Sequence, residues 1–113
     1  MDKIAFETAK REITKSLCEY VKNSKRESME LVQTNTMYFM ERMQWIDEMM
    51  SSGKMNEAQA EKVFHLNRFT FESMAAAEKH ISKENTKKLL KTVAKKLLEI
   101  AVSQGLKALL LAL

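Results

Sequence analysis

The sequence predicts an all-α protein: an up-down bundle of antiparallel helices, four in number, assembled into an oligomer. Three observations predict it. Proline is absent and glycine occurs only at Gly53 and Gly105, so the residues that punctuate sheets and long loops are missing. Apolar residues recur at steps of three, four and seven along almost the whole chain, the period of one helix face rather than of a strand. Interruptions of that pattern are short, and short connections make successive helices antiparallel neighbours. At 113 residues the chain is expected to form one all-helical domain over residues 1–113, able to bury a core without staples.

The first helix is expected over residues 2–22, with Phe6, Ala9, Ile13, Leu17, Tyr20 and Val21 on its apolar stripe. The polar run from Asn23 to Ser28 then interrupts the stripe. Ser24 and Glu27 have the spacing of a capping box, so a second helix is expected over residues 25–50. The stripe can also be followed without loss of phase through Ser24, Ser28, Leu31 or Val32, Asn35, Phe39, Met43, Ile46 and Met50. The alternative is therefore three helices, the first running from 2 to 50. Such a rod would be roughly 70 Å long at 1.5 Å per residue.

Ser51-Ser52-Gly53-Lys54 is the clear turn, with Gly53 able to take the left-handed conformation that ends a helix. Asn56 as N-cap, with Gln59 three residues on and Glu57 near the positive end of the dipole, opens a third helix over residues 56–81. Ser82 caps the fourth, expected as one amphipathic helix over residues 83–112. That last helix is expected to lie deepest or at a subunit interface, because Ala108 to Leu113 is apolar on every side.

Charge is concentrated at the same end. The formal net charge is +4, and Ser82–Leu113 carries seven lysines against two glutamates. Lys87, Lys88, Lys91, Lys95 and Lys96 lie opposite the leucine stripe. A solvated face that keeps an apolar helix in water is the simplest reading. No apolar run follows a basic N-terminal segment, and the most apolar window, Leu97–Leu113, contains Glu99, Gln104 and Lys107, so neither a signal peptide nor a membrane span is expected. One cysteine, Cys18, allows no internal disulfide, and a cytoplasmic setting fits.

The residues of chemistry are sparse. His65 and His80 lie fifteen positions apart and neither follows a glutamate by three, so the ligand spacings of helical di-iron and zinc sites are missing. With two isolated glycines there is no phosphate loop, and no serine sits in a Gly-x-Ser-x-Gly elbow. No catalytic residue, metal, cofactor or small-molecule substrate is expected, and the chain is read as a non-enzyme.

What remains points to contacts between proteins. Met37, Tyr38, Phe39, Met40, Met43, Trp45, Ile46, Met49 and Met50 crowd fourteen positions and cover too many angles to share one helix face. Adaptable methionines beside a tryptophan suit a contact surface. The expected function is therefore protein–protein interaction of adaptor or inhibitor type, with itself as a homo-oligomer and with another protein. The contact residues would be Met37, Tyr38, Met40, Trp45, Met49, Leu109, Leu110 and Leu113. The alternative is nucleic-acid or anionic-membrane binding by the lysine face of Lys87, Lys88, Lys91, Lys95 and Lys96.

Overall fold

The first turn of a helix leaves backbone N–H groups without partners, and short polar side chains take them up. In the computed structural model, which describes residues 1–22 and 25–113, four of the five helices among the described residues open this way. Asp2 accepts from the Ile4 N–H at 2.9 Å and opens α1, Lys3–Ser16. Helix α2, Arg26–Ser51, follows. Asn56 and Gln59 cap each other reciprocally, at 2.8 and 3.0 Å, and open α3, Glu57–Ala77. Ser82 accepts from Asn85 at 3.0 Å and opens α4, Lys83–Leu98. Ser103 accepts from Leu106 at 3.4 Å and opens α5, Gln104–Leu111.

The longest pairing is the antiparallel hairpin of α2 and α3. Its turn uses Gly53 at φ +74°, a conformation that costs an ordinary residue steric strain. The Phe39 and Phe71 rings pack at 5.5 Å between centroids. The Asn35 amide, buried between the helices, donates to the Phe71 carbonyl at 3.1 Å. Helix α1 runs antiparallel to α2, with Thr14 Oγ1 3.9 Å from Met37 Sδ. It also runs antiparallel to α4, where Tyr20 Oη meets Thr92 Oγ1 at 2.8 Å and Glu12 pairs with Lys96. The core between them is built from Phe6, Ile13, Leu17, Met40, Met43, Ile46, Phe64, Leu89 and Leu97, all essentially inaccessible.

Three expected boundaries are corrected. The helix expected over 83–112 is two helices, because Ile100–Ser103 turns away to meet Asp47. That side chain is completely buried. Its Oδ1 accepts from the backbone N–H groups of Val102 at 3.1 Å and Ser103 at 2.8 Å. Its Oδ2 accepts from the Met1 amine at 2.9 Å. A continuous helix would have committed both N–H groups to carbonyls one turn back. Past the break, α5 comes close enough to α2 that a Cβ at Gly105 would overlap the Met50 methyl.

The helix expected over 2–22 ends at Ser16 and tightens into a 3₁₀ turn over Leu17–Glu19. Lys22 N–H then donates to the His80 carbonyl at 2.6 Å, and the Tyr20 carbonyl accepts from Asn85 at 3.1 Å. With α1 ending at Ser16 and α2 opening at Arg26, the single rod over 2–50 is excluded. The capping box of Ser24 with Glu27 lies outside the described residues. The helix expected over 56–81 ends at Ala77, since Glu78 is extended and its Oε1 accepts from the His80 N–H at 3.0 Å.

Asp47 carries a direct test. Replacing it with alanine leaves a buried ammonium and two backbone donors unpaired, so Asp47→Ala is expected to cost about 3–5 kcal/mol. Urea unfolding measures it. A loss within the roughly 0.5 kcal/mol of an ordinary surface change would refute the role.

Candidate interaction surface

The methionine–aromatic band of α2 is divided by the helical phase. Phe39, Met40, Met43 and Ile46 face inward and are buried, Met40 and Met43 completely. Met37 is half-buried against α1, and Met50 is half-buried with its Sδ 3.4 Å from Ser103 Oγ. Tyr38 is 51% exposed, and Trp45 and Met49 are half-buried on the same side of the helix. The Arg42 guanidinium carbon lies 4.4 Å from the centre of the Trp45 ring, close enough for a cation–π contact. Of the C-terminal leucines, Leu110 is buried in the core, while Leu109 and Leu113 are half-buried against it.

Leu31, Asn35, Tyr38, Arg42, Trp45 and Met49 are spaced four, three, four, three and four residues apart, so they form a second stripe beside the core stripe. Across the hairpin, α3 exposes Leu66, Phe69 and Met74, at 64%, 70% and 48%. At one end the two helices leave an apolar groove of about 230 Å³ lined by Leu31, Val32, Asn35, Met74, Ala75, Ala77 and Glu78. Leu31 itself is 57% exposed. Among the described residues, five of the eight large apolar side chains left exposed thus belong to α2 and α3. The others, Ile4, Val102 and Leu111, are distributed over α1, the α4–α5 joint and α5. The sequence contained the signal for Leu66 and Phe69, since they follow the same three–four spacing on the side of α3 opposite Phe64 and Phe71.

On α4, Lys87, Lys88, Lys91 and Lys95 are exposed. Lys96 is half-buried and bonded to Glu12 on α1. That hydrogen bond and charge hold the Glu12 carboxyl below its usual range and raise the Lys96 ammonium above its own. The five lysines are thus not one uniform face.

A third group was not read from the sequence. Ser28, Glu78 and His80 come together where α2 begins and α3 ends. Ser28 Oγ donates to Glu78 Oε1 at 2.9 Å, and His80 Nδ1 lies 2.9 Å from the same oxygen and 3.0 Å from Ser28 Oγ. The residue types are those of a hydrolytic triad, but the geometry differs. Relay through imidazole needs the serine on one ring nitrogen and the carboxylate on the other. Here both meet Nδ1, and the serine proton goes to the carboxylate. The cluster fastens the α3–α4 connection onto α2.

Among the described residues no three histidine, cysteine or acidic side chains are grouped to hold a metal. No described helix is long and apolar enough to cross a membrane. Comparison with protein-family models, with curated proteins and with solved structures gave no match to this chain.

The Glu78 cluster generates a pH prediction. Hydrogen bonds from the His80 side chain, the His80 backbone and Ser28 hold the Glu78 carboxyl below its ordinary value of 4.5. A carboxyl whose pKa is lower folded than unfolded contributes stability that is complete above the unfolded value and lost as pH falls through the folded one. Glu78→Gln is therefore expected to melt below the parent protein at pH 7, with the gap closing on acidification below 4.5. A gap that stays constant down to pH 3 would disprove the assignment.

Proposed function

We propose that this protein is a non-enzymatic interaction module that acts by protein–protein contact through the outer surface of the α2–α3 hairpin, in a cytoplasmic setting. The observation that carries the reading is the concentration of Leu31, Tyr38, Leu66, Phe69 and Met74, all about half exposed or more, on that one hairpin. Large contiguous apolar surface on a small protein marks a partner site more often than chance exposure. Tyrosine, tryptophan and arginine on the α2 stripe are the side chains enriched where contacts carry binding energy. Of the contact residues expected from sequence, Tyr38, Trp45 and Met49 lie on this stripe. Met40 and Leu110 are spent on the core, so the proposed surface replaces them with Leu31, Leu66, Phe69 and Met74.

A photo-reactive phenylalanine analogue at position 38 is expected to form protein adducts in host extract, and the same analogue at position 91, on α4, is not. Adducts at neither position would reject the reading.

The lysine face supports a second reading, contact with nucleic acid or an anionic membrane surface, because Lys87, Lys88, Lys91 and Lys95 point to solvent. Converting these four to glutamine is expected to change stability by no more than about 0.5 kcal/mol each and to leave adducts at position 38 unchanged. If the parent protein instead binds duplex DNA or anionic vesicles at physiological salt and the variant does not, the second reading replaces the first.

A further inference from the structure

We propose that the fold responds to the chemical state of the Met1 α-amine: a free ammonium there holds α5 in the core, and acylation of it releases α5. The response is built on the joint at Asp47. The ammonium donates to Asp47 Oδ2 at 2.9 Å, with neither group open to solvent. The other carboxylate oxygen accepts from the N–H groups of Val102 and Ser103 at 3.1 and 2.8 Å, the two bonds that set the start of α5. One buried carboxylate thus links Met1 to the last helix.

Acylation removes both properties that the joint uses. Transfer of an acetyl group from a thioester forms an amide C–N bond at Met1, releases the thiol and one proton, and leaves a neutral nitrogen with a single N–H. Asp47 then keeps its charge in a site closed to solvent and loses the cation paired with it, which costs far more than breaking a surface ion pair. The added carbonyl and methyl also need volume where the amine has no exposed surface, and a packed interior yields little. A peptide bond to any residue ahead of Met1 is an acylation in the same sense.

Helix α5 is the element that gives way. It has eight residues, Gln104–Leu111, fewer than the about 12–15 that an isolated helix needs to persist in water. Its anchors are Leu106 and Leu110, the two buried residues it contributes, and the Asp47 bonds that fix its first turn. Helix α1, on the other side of the joint, is held along its length by buried Phe6, Ala9 and Ile13 and by the bond between Glu12 and Lys96. Loss of the joint therefore opens the fold at α5 and leaves α1, α2 and α3 packed. Once released, α5 carries Leu106, Leu109 and Leu110 on one side, so leucines that the closed form spends on its core and edge become a contact stripe.

The single cysteine, Cys18, allows the full chain to be assembled by ligating a peptide of residues 1–17, with its amine free or acetylated, to residues 18–113. Amide hydrogen exchange then reads each helix separately. Acetylation is expected to speed exchange of Lys107–Leu111 by about tenfold or more, while the amides around Phe39 and Phe71 keep the rate of the free-amine chain. In Asp47→Asn, where the charge is gone, α5 is expected to exchange fast already, and acetylation to add less than about twofold.

Exchange in α5 that acetylation leaves unchanged overturns the proposal. Equal acceleration in α5 and in the α2–α3 hairpin, including a chain that fails to fold, overturns selective release and makes the joint a general support of the fold. Equal acceleration in the parent and in Asp47→Asn overturns the carboxylate as the group through which the amine acts.

Discussion

The buried carboxylate of Asp47 is the constraint on which the arrangement of the other helices depends. A charge without access to water is tolerable only when its partners are fixed in place, and here they come from two other parts of the chain. The Met1 amine brings the start of α1 to the end of α2, and the Val102 and Ser103 N–H groups bring the start of α5 to the same point. Because those N–H groups are committed to Asp47, the leucine-rich C-terminus cannot continue as one rod. It folds back, and Leu106 and Leu110 enter the core. The all-round apolar character of residues 108–113 is thereby divided between core and rim.

A second polar joint lies at the other end of α2, nineteen residues or roughly 28 Å from the first. There Ser28, Glu78 and His80 fasten the α3–α4 connection, and the Lys22 N–H to His80 carbonyl bond fastens the end of the first helical segment to it. Between the joints the α2–α3 packing is mostly apolar, and the buried polar side chains there, Asn35, Thr36 and Asn67, each donate to a backbone carbonyl. Apolar contacts alone tolerate sliding by a helical turn, whereas directional bonds at both ends do not. The two joints thus set the register that the core residues then fill.

How much of this was legible follows from the range over which each signal acts. Local signals were readable: the helical period, the turn at Gly53, and the reciprocal cap of Asn56 and Gln59 each depend on residues within four positions. The joints were not, because Asp47 and Val102 are fifty-five residues apart in sequence, and Ser28 and His80 fifty-two. Two traces were nonetheless present. Asp47 shares the phase of Thr36, Met40 and Met43, an acid on an apolar stripe. Ser103 and Gly105 within one turn are a cap and a small residue in a segment otherwise rich in leucine. Read together they mark a break, but the break has a purpose only once Asp47 is opposite it. The proposed surface was half legible: Tyr38, Trp45 and Met49 were identifiable by type, while spacing alone let Leu66 take the place of Asn67 on the inward stripe, which Asn67 occupies, and Phe69 was overlooked.

That oversight bears on α3 itself. A helix that packs on one side of a small bundle needs one apolar stripe and is best served by charge on the other side. The outer side of α3 departs from this: between Lys62 and Lys79 the positions most distant from the core are Leu66, Phe69, Ser73 and Ala76, none of them charged. Between those two lysines the charged residues of α3, Arg68 and Glu72, sit instead at its flank, where they pair at 2.8 Å. Charge at the rim with apolar residues at the centre is also the composition of contact surfaces in general, which supports the reading proposed for the hairpin. Monomer stability does not require it, since replacing Leu66 or Phe69 with a polar residue would leave every core contact in place. The apolar outer face of α3 is therefore a feature that the packing of one chain does not require.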